Sequence, residues 1–248
     1  MDLQLRDKIA LITGASRGIG AATAKILAEE GADVVVCYHK NAEGAKQTGE
    51  SVRRAGRCAW QLHMDVADPD SVAAAFQRLK NELDRIDVLI LCAGESTVTP
   101  FEDISPGEWE HIVGVNLNGS FHVLQAATAW LSEGSSVVAV ASVAGHTGVP
   151  HHAHYAAAKA GVINLTKSAA RTLAPRVRVN CVAPGMTLTE MGRQSATALP
   201  DDYPRTQLLT HRYAEPVEIA RTIAFVASPV AGFMTGATID INGGRVLR

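Results

Sequence analysis

Tyr155 and Lys159 stand four residues apart in a segment that reads as a helix, and Ser142 lies thirteen positions upstream. An i, i+4 spacing puts the phenol and the ammonium on one helix face. Tyrosine ordinarily ionises near pH ~10, too high to exchange protons at neutrality. A neighbouring positive charge favours the phenolate and lowers that value. The expectation is a pair that passes a proton to or from a small oxygen-bearing substrate, with Lys159 drawing the Tyr155 pKa down.

The elements that must position this pair alternate between strand-like and helix-like segments. Strands are expected at 8–13, 33–38, 58–62, 86–92, 136–141, 176–181 and 238–241. Helices are expected at 18–30, 42–55, 69–84, 154–174 and 216–227, with one long helix over 106–132, broken near Gly119. Asp68 reads as an N-cap with Pro69 at the first helical position. The strands are continuously apolar, the pattern of a parallel sheet covered on both faces. Alternation of such strands with helices implies a doubly wound α/β fold, one domain over 1–248. The long segment from Met186 to Glu215 is expected to be a substrate loop or lid.

In an open parallel sheet, ligands bind beyond the carboxyl ends of the strands. The unusual residues fall there: Thr13 to Gly20 after the first strand, Asp65-Val66 after the third, Ala93-Gly94 after the fourth, Ser142 after the fifth and Pro184-Gly185 after the sixth. In the first of these, Gly14 permits a tight turn, Gly18 a close backbone approach to a pyrophosphate and Gly20 close helix–strand packing. The helix beginning at Gly18 offers unpaired N–H groups and a partial positive charge to phosphates.

Composition narrows the classes. The chain has 248 residues, 47% hydrophobic and 19% charged, with a net charge of −2 and no basic tail, which argues against nucleic acid or anionic membrane as partner. No run approaches the ~20 apolar residues of a membrane span. Cys37, Cys58, Cys92 and Cys181 lie far apart and read as buried thiols of a reducing, cytoplasmic compartment.

From Lys8 to Gly244 the order and spacing of T-G-x-x-x-G-I-G, the Asp-Val pair, A-G, Asn116, Ser142, Y-x-x-x-K and P-G resemble the short-chain dehydrogenase/reductase family, and within it most nearly the 3-oxoacyl-carrier-protein reductase type. The resemblance implies a Rossmann-like sheet, a nicotinamide cofactor, and an oligomer, dimer or tetramer, packed through the helices at 106–132 and 154–174. It implies that Tyr155 is the general acid or base, that Lys159 lowers its pKa and holds the ribose hydroxyls, that Ser142 stabilises the substrate oxygen, and that Asn116 positions a proton-relay water. The cofactor would be held by Gly14, Ser16, Arg17, Gly18, Ile19 and Gly20, by His39, Lys40, Asp65, Val66, Ala93 and Gly94, by Tyr155 and Lys159, and by Pro184, Gly185, Thr187 and Thr189. No metal is required.

Where an NAD enzyme of this fold carries an acid, Tyr38 ends the second strand, followed by His39 and Lys40. With Arg17 this favours NADP(H) over NAD(H). Leu91-Cys92 replaces the paired asparagines common before A-G, removing amide ties between strands. His146, His151, His152 and His154 either line the substrate entrance or solvate a loop. Two substrate classes stand open: a 3-oxoacyl thioester on an acidic carrier protein, for which Arg171 and Arg176 would supply docking charge, or a free small ketone, sugar or secondary alcohol.

Overall fold

A computed structural model describes residues 2–247. Seven strands, β1 (Ile9–Ile12), β2 (Asp33–Tyr38), β3 (Ala59–His63), β4 (Ile86–Leu91), β5 (Leu131–Val140), β6 (Val177–Pro184) and β7 (Thr238–Ile241), form one parallel sheet in the order β3-β2-β1-β4-β5-β6-β7. Alternate residues of each central strand feed two separate cores. Ile9, Leu11, Val35 and Cys37 face one layer, while Ala10, Ile12, Val34 and Val36 face the other. Burial on both faces is why the strands read as unbroken apolar runs.

Helices α1 (Gly18–Glu29) and α2 (Ala42–Arg54) cover one face together with a late helix at Pro216–Ala227, through Leu27, Val52, Ile219 and Ile223. α3 (Pro69–Leu79) covers the other face through Val72 and Phe76, capped by Asp68, which accepts from Asp70 N–H at 2.9 Å. It is shorter than the expected 69–84.

The long helix expected over 106–132 is three pieces: α4 (Pro106–Val113), a π-helical turn at Gly114–Asn118, and α5 (Gly119–Ala127). Asn116 is the physical reason for the wide turn. Its side-chain amide donates to the Ile112 carbonyl at 2.9 Å, the acceptor an α-helix would reserve for its main-chain N–H. Residues 131 and 132 belong instead to β5, which starts five residues before the expected strand.

The short α6 (Ala144–Thr147) and the long α7 (Ala153–Leu173) follow. Segment 186–215 carries two short helices, α8 (Glu190–Ala196) and α9 (Tyr203–Gln207), before α10 (Pro216–Ala227). Two sequence readings need correction. Cys58 is exposed, because it precedes β3 rather than lying in it, and Cys92 is only half-buried. Arg171 and Arg176 sit at the C-terminal end of α7 and just before β6, on the rim opposite the strand carboxyl ends, and Arg176 is spent on the Leu131 carbonyl. Neither can supply charge at the mouth of the site. No described helix is long and apolar enough to cross a membrane.

Candidate active site

Strand order reverses at β1, which pairs with β2 on one side and β4 on the other. The crevice such a reversal opens is the expected ligand site. It is occupied by a cavity of about 950 Å³, lined by every candidate residue named above for cofactor and chemistry except Asn116, which is buried behind the wall.

The β1–α1 turn fits a phosphate. Gly14 has φ +65°, and a Cβ there would meet Ala93 Cα at 2.8 Å, so the loop runs directly against the end of β4. Arg17, at the N-cap of α1, makes no side-chain cap, and the first turn carries no acid. The positive end of the helix is left for an anion. Thr13 supplies the tie that the missing asparagines would have given: its hydroxyl accepts from the N–H of Cys92 at 2.9 Å and of Ala93 at 3.0 Å.

The ionisable residues around the crevice stand in pairs. Arg17 meets Glu190 of α8 at 2.6 Å, His39 meets Asp65 at 3.7 Å, and Lys40 meets Glu95 at 3.9 Å. Thr187 is buried and its hydroxyl donates to Gly185 O; Thr189 caps α8 by accepting from Gly192 N–H, with its methyl against Gly18.

Ser142 follows β5, and Tyr155 and Lys159 come from the first two turns of α7. Lys159 is 4% exposed; its ammonium donates to the Val140 carbonyl at 2.9 Å and lies 5.5 Å from the centroid of the Tyr155 ring. Burial draws its pKa down to about 8. The expected lowering of Tyr155 is not met in the protein alone: burial pushes the phenol up to about 12, opposed only by a hydrogen bond with Ser142. Desolvation of the buried phenol is the largest effect on it.

Asn116 Nδ2 donates to Glu95 O at 2.7 Å as well as to Ile112 O, which leaves Oδ1 a buried acceptor without a donor. A Cβ added to Gly94 would lie 2.8 Å from that Oδ1 and 3.4 Å from Lys159 Nζ, so both atoms border the same small space.

The four histidines separate. His152 lines the cavity, its Nδ1 3.0 Å from Ser96 Oγ and its ring 6.5 Å from that of Tyr155, and burial lowers its pKa. His151 is exposed; His146 faces Asp240 at 3.3 Å. His154 is fully buried against Thr97 and Glu108, and its Nδ1 accepts the Tyr155 N–H at 2.9 Å, so Nε2 carries the proton of the neutral ring. Among the described residues no three His, Cys, Asp or Glu side chains gather as a metal site.

Sequence reasoning missed Asn41, Glu95, Glu190, Tyr203 and Arg245, all of which line the cavity. Asn41 was detectable as the N-cap of α2, where it accepts from Gly44 N–H. The others carry no spacing signal, because only the tertiary fold brings them to the rim.

A family model described as enoyl-(acyl carrier protein) reductase matches residues 14–245. The chain belongs to the short-chain dehydrogenase/reductase family. It is 39% identical to the Staphylococcus aureus 3-oxoacyl-[acyl-carrier-protein] reductase FabG, over 97% of this chain and 98% of that protein. It is also 39% identical to the cis-4-hydroxycyclohexanecarboxylate dehydrogenase of Sinomonas cyclohexanicum, covering 96% of each. Among solved structures, a short-chain dehydrogenase/reductase of Brucella melitensis described as glucose/ribitol dehydrogenase superposes with a TM-score of 0.94 at 33% identity, covering 100% of both chains. A Burkholderia cenocepacia short-chain dehydrogenase in complex with NADP gives 0.91 at 34% identity, over 99% of each. As a short-chain dehydrogenase/reductase the protein is an NAD(P)-dependent oxidoreductase acting on a CH–OH group or its carbonyl.

Proposed function

We propose that the protein reduces a carbonyl to a secondary alcohol with NADPH, and that Ser142, Tyr155, Lys159 and Asn116 handle the proton. The observation that carries this reading is the convergence of Ser142, Tyr155 and Lys159 on the one cavity, with the Tyr155 hydroxyl hydrogen-bonded to Ser142 and the Lys159 ammonium 5.5 Å from the centroid of the Tyr155 ring. A bound nicotinamide supplies the hydride. Tyr155 Oη donates its proton to the substrate oxygen. The Ser142 hydroxyl donates a second hydrogen bond to that oxygen, stabilising charge as it develops. Lys159, charged below about pH 8, stabilises the phenolate left behind. Asn116 Oδ1 holds a water in the space bordered by Lys159 Nζ and returns the proton from solvent.

The cofactor preference rests on the absence of an acid at Tyr38 and on Arg17, His39 and Lys40 beside it. Segment 186–215 closes the substrate side as a lid, lining the cavity with Met186, Met191, Leu199 and Tyr203. Trp109 and Phe121 remain exposed on α4 and α5, which supports a homo-oligomer packed through those helices.

The FabG relatives support a 3-oxoacyl thioester as substrate. A second reading, a free small ketone or secondary alcohol, is favoured by the placement of Arg171 and Arg176 at the far rim and by the dehydrogenase relative of equal identity. NADPH consumption with a short 3-oxoacyl thioester, beside NADH and beside an uncharged cyclic ketone, separates the two. Rapid NADPH-selective turnover of the thioester supports the first; turnover of the ketone alone supports the second.

A further inference from the structure

Four lysine and arginine side chains line the cavity among the described residues: Arg17, Lys40, Lys159 and Arg245. The first three are engaged. Arg17 faces Glu190 at 2.6 Å, Lys40 faces Glu95 at 3.9 Å, and Lys159 donates to Val140 O at 2.9 Å. The acids that line the cavity, Asp65, Glu95 and Glu190, are those already facing His39, Lys40 and Arg17. Among the described residues no acid stands opposite Arg245. Its Nε donates to the Tyr203 hydroxyl at 3.1 Å, which leaves most of the donors of a guanidinium unspent.

Its position is built. Asn242 accepts the Gly244 N–H at 2.9 Å, and the Arg245 N–H returns to Asn242 O at 3.1 Å, closing a turn directly after β7. Gly243 O accepts the Thr210 N–H at 3.2 Å, so this turn is joined to segment 186–215, from which Tyr203 comes. Tyr203 is itself stacked on Tyr213, with ring centroids 6.4 Å apart.

Topology decides what Arg245 serves. Strands lie about 4.8 Å apart, so β7 is roughly 10 Å from β5, which leads into Ser142, and about 19 Å from β1, which leads into the phosphate-fitting turn. Arg245 therefore belongs to the substrate end. Met186, Met191, Leu199 and Pro200 also line the cavity from segment 186–215.

We propose that Arg245 and the Tyr203 hydroxyl form a carboxylate subsite, and that the substrate is a compact oxo acid: a carbonyl toward Ser142 and Tyr155, an apolar body, and a carboxylate on the guanidinium. This rests on the carbonyl-reductase reading above. It deepens that reading by assigning a charge to the substrate's far end, which a neutral ketone or sugar lacks.

The test compares linear oxo acids of four to eight carbons with their methyl esters, using NADPH, in the wild-type chain, in Arg245→Met and in Tyr203→Phe. The wild type is expected to prefer acid over ester in kcat/KM. Arg245→Met is expected to lower that ratio roughly 10- to 100-fold, the worth of a charge-assisted hydrogen bond, mostly through KM. Arg245→Lys restores part of the ratio. Equal use of acid and ester by the wild type, or a ratio unmoved in Arg245→Met, overturns the subsite. So does a matching loss of NADPH affinity in a fluorescence titration, which would assign the arginine to the cofactor. Reduction of esters or plain ketones alone overturns the subsite and leaves the reductase reading standing. Reduction of no carbonyl compound overturns the reductase reading and, with it, the proposal.

Discussion

The Lys159 ammonium stands 5.5 Å from the centre of the Tyr155 ring while donating to the Val140 carbonyl at 2.9 Å. It is thus pinned to the end of β5 beside the phenol, and burial acts on the two groups in opposite senses. Lysine is drawn down to about 8 and tyrosine pushed up to about 12. Both groups keep their protons at neutral pH, and lysine is the first to lose its own.

That ordering fixes a pH profile. With NADPH as the varied substrate, kcat/KM reports the free protein, and it should be flat near pH 6–7 and fall above about pH 8 as Lys159 loses its charge. Tyr155, titrating far higher, does not contribute to that limb. A profile flat to pH 10 would remove Lys159 from the mechanism.

The same lysine is a stability cost. Its folded-state pKa lies below its ordinary value, so the folded protein binds that proton less tightly than the unfolded chain does. Holding it at about 8 rather than 10.5 costs about 3 kcal/mol below pH 8, a penalty relieved as pH climbs from 8 to 10.5. Lys159→Met should lose turnover yet melt at or above wild type at pH 7, with the difference shrinking toward pH 10. Melting well below wild type at pH 7 would show that the Val140 hydrogen bond outweighs the buried charge.

Arg178 illustrates the opposite case. Its guanidinium donates to the carbonyls of Val226, Ala227, Ser228, Ala231 and Met234 and to Ser136 Oγ, gathering the end of α10 and the turn before β7 onto β6. Arg178→Met leaves several half-buried carbonyls without a donor. The expected loss is about 3 kcal/mol, or roughly 6–12 °C in melting temperature by calorimetry. A change under 2 °C would mean that water replaces the arginine.

Glu190 bears on cofactor choice. It occupies Arg17 at 2.6 Å across an exposed gap, where a 2′-phosphate would compete for the same guanidinium. Glu190→Gln should tighten NADPH by a few-fold and leave NADH within twofold; Arg17→Ala should weaken NADPH selectively. Equal binding of NADH and NADPH, unmoved by Arg17→Ala, would contradict the NADP(H) preference.

Much of this was legible in the residues because it rests on local rules. Two-faced burial makes β1, β2 and β4 continuous apolar runs, and Asp68-Pro69 marks a helix start that the structure keeps. The Tyr155–Lys159 spacing needs only helix geometry. What failed depended on competition between neighbours. The helix expected over 106–132 does break near Gly119, but through a π turn formed where the Asn116 side chain takes a carbonyl that periodicity assigns to the main chain, and it ends at Ala127, short of the expected 132. The sign of the Tyr155 shift turned on burial outweighing the Ser142 hydrogen bond, a balance no spacing records. Arg171 and Arg176 look available in sequence, yet strand direction puts them on the wrong rim. Arg245 reaches the cavity only because a turn after β7 meets a segment some forty residues earlier.

The central claim is that Tyr155 gives the proton. Tyr155→Phe keeps the ring, and with it the packing against Lys159, while deleting the one hydroxyl that acts as acid. The decisive measurement is NADPH binding by fluorescence titration beside single-turnover carbonyl reduction in that variant. The account predicts NADPH affinity within about twofold of wild type and a rate lowered by 10²-fold or more. Reduction at a rate near wild type, with NADPH bound, would contradict it.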